Sequence, residues 1–256
     1  MSTSRPNGSL YTKIENHIAI IEFGHPASNS FVSELLDRLA KEFDKISEDS
    51  NVNIIILKSE GDRAFCAGAS FDELVAVSTI EEGKIFFSGF ANVINAMRKC
   101  KKVIIGRVQG KTVGGGVGLA AACDYVFASE SASIRLSELE IGIAPFVIAP
   151  AVERKIGIAA ISELSLSPTD WKTAYWAQEK GLFSRVFDNI NELDKALDLF
   201  TNNLASYHPQ ALQDWKKVLW EHTDHWDELL ADRAAITGKL AVSEFTKTAL
   251  SKFKKY

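Results

Sequence analysis

The chain has 256 residues, 46% hydrophobic and 24% charged, an ordinary globular composition with enough length for one large core and an appended element. A formal net charge of −4 argues against a nucleic-acid binder, and the short basic runs at Lys99-Cys100-Lys101-Lys102 and Lys252 to Lys255 read as solvated surface. No 18-residue apolar run offers a membrane span and Met1 to Gly8 lacks the apolar core of a signal peptide, so a cytoplasmic protein is expected, with no membrane or nucleic-acid partner.

In chain order, Ile18 to Phe23 reads as a strand, and His25-Pro26-Ala27-Ser28-Asn29-Ser30 as a turn whose last residues supply helix caps. Val32, Leu35, Leu36, Leu39, Phe43 and Ile46 recur at helical spacing to about Ser47. Val52 to Leu57 is a second strand, Phe71 to Ser78 is irregular, and Glu81 to Met97 is an amphipathic helix with Ile85, Phe86, Phe90, Val93, Ile94 and Met97 on its core face. Ile148 to Ile156 and Ile158 to Leu166 are helical in tone, interrupted by Pro150 and Gly157. From Asn191 the chain is helical with no strand signal. Its organisation is therefore a core of residues 1–190 and a helical region of residues 191–256, an appendage on one fold and not a free domain.

The informative stretch is Gly106 to Pro145. The apolar run Val103 to Ile105 leads into Gly114, Gly115, Gly116 and Gly118, followed at once by Leu119-Ala120-Ala121-Ala122: a strand, a glycine-rich turn and a helix start. Such a turn lets backbone approach a ligand closely and leaves the first helical amides as unpaired donors, which suits an oxyanion. Gly110-Lys111-Thr112 has the ending of a phosphate loop, but its partner glycine would have to be Ile105. A dinucleotide fingerprint beginning at Gly114 needs a glycine at Leu119 and fails too, and one beginning at Gly116 closes only by accepting Ala121. The bland alternative is that the glycines serve close helix-to-strand packing.

An earlier stretch, Asp62-Arg63-Ala64-Phe65-Cys66-Ala67-Gly68-Ala69-Ser70, follows Ile54-Ile55-Ile56-Leu57 in the same manner. With the Gly-Gly-Gly turn and the Cys123-Asp124 pair, the chain resembles the crotonase (enoyl-CoA hydratase/isomerase) superfamily, and in motif the bacterial methylglutaconyl-type hydratases, over nearly its whole length. The resemblance implies an α/β fold, a spiral of repeated ββα units with a C-terminal helical trimerisation region, and a homo-trimer or dimer of trimers. It also implies an acyl-CoA thioester substrate, with coenzyme A part of that substrate and no separate cofactor.

By the same resemblance the backbone amides of Ala69 and Gly115 stabilise a thioester enolate, a contribution of several kcal/mol in such sites. The best-known members carry two glutamates; here the first position is Gly118 and the second is Glu138, the expected acid/base, which burial would tune toward neutral pH. Glu140, two residues on, would face the same way in an extended segment and is a possible second acid/base, or a surface charge. For coenzyme A the resemblance points to Arg63, to backbone at Ala27, Ala64, Ala67, Gly68 and Gly114, and to Phe253 with Lys254 at the C-terminus.

The five histidines are dispersed, and His222 and His225 lack a third ligand, so no metal is expected. Cys66, Cys100 and Cys123 show neither disulfide nor zinc spacing and read as buried thiols. No nucleophile elbow appears. Hydration of a 2-enoyl-CoA through one catalytic glutamate is the leading reading. A Δ3,Δ2-enoyl-CoA isomerase, which needs only one base, is the alternative, and a non-catalytic CoA-thioester binder the third. The apolar Leu193, Leu197, Leu199, Phe200, Leu204, Leu212, Trp215, Val218, Leu219 and Trp220 are more than a free helical appendage would leave wet, which favours an oligomer.

Overall fold

The computed structural model describes residues 5–253. A six-stranded sheet has the order β1 (Ser9–Glu15), β2 (Ile18–Gly24), β3 (Ile54–Ser59), β5 (Val103–Val108), β7 (Tyr125–Ser129), β10 (Arg185–Phe187). Only β1 and β2 run antiparallel; the remaining neighbours are parallel. A four-stranded sheet has the order β4 (Ala64–Cys66), β6 (Lys111–Val113), β8 (Ser133–Arg135), β9 (Lys172–Thr173). Successive units of the chain therefore place one strand in each sheet. β3, β5 and β7 feed the large sheet while β4, β6 and β8 feed the small one. The β-branched runs of β3 and β5 are buried on both faces, as parallel strands covered by helices must be.

The helices are α1 (Ser33–Ser47), α2 (Phe71–Ala76), α3 (Ile80–Lys99), α4 (Gly115–Ala122), α5 (Ala149–Leu166), α6 (Ala174–Glu179), α7 (Ile190–Ala205), α8 (Pro209–Leu219), α9 (Trp226–Ala241) and α10 (Glu244–Phe253). One core joins the inner face of the large sheet to α1, α3, α4 and α5 through Phe23, Leu35, Phe43, Ile94, Val117 and Val152. On the sheet's outer face, Ile18, Ile54, Ile56, Val103, Ile105 and Phe127 are covered by Leu193 and Leu197 of α7. Helix α3 carries a complete capping box at Thr79 and Glu82, and it crosses α9 where Gly83 meets Gly238. A β-carbon on Gly83 would lie 2.7 Å from Gly238 Cα, so this crossing requires glycine.

Several expectations need correction. Ser28, Asn29 and Ser30 do not cap α1; its N-cap is Val32, and the carboxylate of Glu73 accepts from Ser33 N at 2.8 Å instead. Asn29 adopts positive φ and donates its side-chain amide to the carbonyls of Glu60 and Ala64, tying the turn to β4. The second strand starts at Ile54, because the amides of Asn53 and Ile54 are both held by the His17 carbonyl. Phe71 to Ala76 is helical, with Ser70 accepting from Glu73 N as cap. β1 carries polar residues on one face and gave no strand signal. In α5 the break falls at Gly157, at φ 74°, whereas Pro150 sits in the first turn, where its missing N–H costs nothing.

The apolar inventory of the C-terminal helices also divides. Leu193, Leu197 and Trp220 are buried within the chain, while Leu199, Trp215, Val218 and Leu219 remain exposed. Asp124 holds this region to the core. Its carboxylate accepts from Ile104 N at 2.7 Å and from Trp220 Nε1 at 2.7 Å, and meets Lys216 Nζ at 3.1 Å with both side chains almost fully buried.

Candidate active site

Two turns meet at the C-terminal ends of β4 and β6. In the first, Phe31 forms a parallel bridge with Ala69: Phe31 N donates to the Gly68 carbonyl at 2.8 Å and Ser70 N to the Phe31 carbonyl at 2.7 Å. A parallel bridge of this kind uses the groups flanking residue 69, so the N–H of Ala69 faces away from Phe31. In the second, Gly114 adopts φ 52°, ψ −120°, a conformation reserved for glycine, and its amide donates to the Arg135 carbonyl at 3.0 Å. Gly115 is then the first residue of α4, and its N–H is one of the unpaired donors that a helix N-terminus presents. Among the described residues neither Ala69 N nor Gly115 N has a hydrogen-bond acceptor. The turns are in close contact: a β-carbon on Gly68 would lie 3.2 Å from the Val113 carbonyl oxygen and 3.7 Å from Gly115 N.

β8 leads from Arg135 into a 3₁₀ turn, Glu138–Ile141, which ends at Gly142 in the left-handed conformation. The segment is not extended, yet the tight turn still brings both Glu138 and Glu140 to one cavity wall. The Glu138 carboxylate lies over the glycine turn. Its Oε1 would be 3.0 Å from a β-carbon on Gly114, a tight contact that places the carboxylate directly against the turn. Glu138 Oε2 is sealed from solvent and has no hydrogen-bond partner among the described residues, although the residue as a whole keeps some exposed surface. Burial raises the Glu138 pKa to about 7, against the smaller opposing effects of its own backbone amide and of Arg135.

These groups enclose a cavity of about 350 Å³, lined by Ala67, Gly68, Ala69, Gly114, Gly115, Glu138 and Glu140 together with Phe71, Leu74, Phe87, Phe90 and Ile148. Arg135 and Thr237 also line it, as does the stretch Ile143 to Val147, Thr237 being carried in on α9. The other expected residues lie elsewhere. Arg63 and Ala27 are exposed and Ala64 half-buried, and none of the three lines the cavity. The 27–30 turn nevertheless adjoins it, since Ala67 N donates to the Ser28 carbonyl at 3.1 Å. Phe253 closes α10, but its side chain and Lys254 lie outside the described residues.

The position of the absent first glutamate has a structural account. A β-carbon on Gly118 would fall 2.5 Å from Ile148 Cγ2, so the isoleucine occupies the space that a side chain at 118 would need. Gly115 is constrained likewise by the ring of Phe90, and Gly116 by Cys66 Cβ at 2.7 Å. The cysteines are sealed thiols: burial pushes Cys66 and Cys123 up to about 12, and all three are unpaired. No group of three metal-ligating side chains occurs among the described residues, and none of their helices is long and apolar enough to cross a membrane. Sequence reasoning missed Arg135, Phe90 and Thr237 as wall residues, whereas the stretch Phe146 to Ala149, which contains Ile148, is among those it expects to supply pocket walls. Arg135 alone carried a signal, as the charge between Ile134 and Leu136 three residues before Glu138.

The site thus sets two turns with unpaired backbone amides beside a buried carboxyl, on a fold of two sheets and the helices that pack on them. The chain belongs to the enoyl-CoA hydratase/isomerase family, whose model matches residues 13–252. It is 35% identical to the mitochondrial methylglutaconyl-CoA hydratase of Homo sapiens over 67% of this chain and 51% of that protein. It is 27% identical to the short-chain-enoyl-CoA hydratase of Clostridium acetobutylicum over 93% of this chain and 92% of that one. The crystal structure of an enoyl-CoA hydratase from Bacillus halodurans superposes with a TM-score of 0.87, covering 95% of this chain and 99% of that one at 20% identity, a likeness of fold.

Proposed function

We propose that the protein hydrates a 2-enoyl-CoA thioester, with Glu138 as its single acid/base. The N–H groups of Ala69 and Gly115 receive the thioester oxygen. Glu138 takes a proton from water as hydroxide adds at the β-carbon. Negative charge moves onto the thioester oxygen and is stabilised by the two amides, and the protonated Glu138 returns its proton to the α-carbon. Water is thereby added across the double bond with no other reactant. The observation that carries this reading is the Glu138 carboxyl, with a pKa near 7 and one oxygen without a partner, in a wall that also bears both amide turns. A group half-ionised near neutrality can both accept and return a proton.

Isomerisation is the second reading, favoured by one observation: Ile148 fills the space beside Gly118, so no second carboxyl assists in holding water there. Glu138 would then remove a proton from the α-carbon of a 3-enoyl thioester and deliver it to the γ-carbon. Crotonyl-CoA, 3-methylglutaconyl-CoA and a 3-enoyl-CoA, each followed at the enoyl-thioester absorbance, separate the two. Hydration lowers the signal and isomerisation raises it. Glu138→Gln should retain the fold and coenzyme A affinity and lower kcat by about 10²- to 10⁴-fold. Retention of more than about a tenth of parental kcat would transfer the proton to another residue, with Glu140 first to be tested. Absence of turnover on every thioester would leave a binding protein.

A further inference from the structure

Two buried polar atoms on the cavity wall lack partners although their residues are close neighbours in the chain. Glu138 Oε2 has no donor and Arg135 Nε no acceptor among the described residues, and no ion pair joins the two side chains. An arginine and a carboxylate so placed would ordinarily close into a forked pair. Two contacts hold the guanidinium elsewhere. It lies over the ring of Trp171, 5.1 Å from the centre, and Glu140 Oε2 stands 3.8 Å from its Nη2. Arg135, Glu138 and Glu140 are the charged side chains lining the cavity, while Lys111, 5.1 Å from the same ring centre, is exposed. The helices packed near the Glu138 turn direct their cations away from it. On α5, Lys155 donates to the Asp124 carbonyl and Arg154 lies over Trp220; on α9, Arg233 donates to the Phe146 carbonyl; on α10, Lys247 pairs with Glu244. The wall is therefore neutral when Glu138 holds a proton and Glu140 balances Arg135. Burial lifts the Glu138 carboxyl to about 7, opposed by its own backbone amide and by Arg135.

We propose that Arg135 and Glu140 are positioning residues for the reaction: Glu140 and Trp171 hold the guanidinium off Glu138, which keeps Oε2 unpaired and free to take a proton. The inference rests on the reading above that Glu138 is the acid/base. It makes Glu140 the counter-ion of Arg135 and not a second proton carrier. A guanidinium released onto Glu138 would favour the ionised carboxylate and make it a poorer base.

The test is a pH titration of the Glu138 carboxyl itself, followed in the infrared by its protonated C=O band and assigned by loss of that band in Glu138→Gln, so no turnover is needed. The parent should titrate at about 7. Glu140→Gln should lower the midpoint and Arg135→Met should raise it, each by about one pH unit, the scale of one neighbouring charge. Arg135→Lys, which keeps the charge, should fall between the parent and Arg135→Met. In an Arg135→Met background Glu140→Gln should move the midpoint no further, because Glu140 acts through the guanidinium. The acid limb of kcat/KM, which reports the free enzyme, should follow the same midpoints. A midpoint unmoved or raised in Glu140→Gln would overturn the proposal, and this arm decides the matter if Arg135→Met fails to fold. An equal shift in both backgrounds would overturn it too, since the two carboxylates would then repel each other directly. Turnover without the infrared shifts sinks this inference and spares the hydratase reading; the shifts without turnover on any thioester do the reverse.

Discussion

Ile148 Cγ2 lies 2.5 Å from where a β-carbon on Gly118 would stand, so the cavity has one carboxyl at the glycine turn because a neighbouring helix fills the place of the other. Gly118→Glu should therefore destabilise the protein, by about 1–3 kcal/mol for overpacking before any cost of the buried charge, and should not raise activity. Adding Ile148→Ala to Gly118→Glu should recover part of that loss. Chemical denaturation of the single and double variants measures the coupling; a fully stable single variant would show that Ile148 yields.

The raised Glu138 pKa makes stability depend on pH with a definite sign. Below the ordinary value of 4.5 the carboxyl is protonated whether folded or unfolded; between 4.5 and about 7 the native state holds a proton that the unfolded chain releases. Stability is thus lost as pH rises through that window, by up to about 3 kcal/mol from this group. Glu138→Gln removes the dependence, so the variant should gain on the parent between about pH 5 and pH 8. Parallel denaturant titrations at the two pH values check it, and a constant difference would place the pKa near its ordinary value.

Gly115 tests the oxyanion turn, but the ring of Phe90 bars any β-carbon there. Gly115→Pro alone should misfold or distort α4. In a Phe90→Ala background, by contrast, proline at this first helical position removes one donor without breaking a helical bond. The rate should then fall about 10²- to 10³-fold relative to Phe90→Ala itself. Steady-state kinetics with matched circular dichroism decide it, and an unchanged rate in the folded double variant would remove Gly115 from the oxyanion site.

Leu199, Trp215, Val218 and Leu219 stay exposed, while Leu193, Leu197 and Trp220 are buried within the chain. We expect them to be covered in a trimer or a dimer of trimers, and Trp215→Glu with Leu219→Glu to yield smaller species. Light scattering at micromolar concentration gives the answer; a monomeric parent would refute the assembly.

Much of the site was legible because its chemistry is local. Gly114, Gly115 and Gly68 announce their turns by composition, and Glu138 follows its strand within a few residues, so motif spacing reached them. The controlling contacts are not local. Phe90 on Gly115, Ile148 on Gly118 and Thr237 in the wall come from helices far away in sequence, and nothing in their own neighbourhoods distinguishes them from core residues. β1 escaped notice for another reason. It lies at the edge of the large sheet with mostly exposed side chains, so its sequence lacks the apolar run that identifies β3 and β5.

The crossing of Gly83 with Gly238 also fixes when the cavity can come into being. Helix α9 packs against α3 at that contact and brings Thr237 with it, while Thr246 of α10 donates to the Gly142 carbonyl behind the Glu138 turn. During synthesis the residues that bear both amide turns and Glu138 leave the ribosome about a hundred positions before the helices that close the wall, at roughly 5–20 residues per second. A nascent chain therefore carries the reactive groups for several seconds without an enclosed cavity, and a chain stopped short of α9 should be unable to retain a thioester.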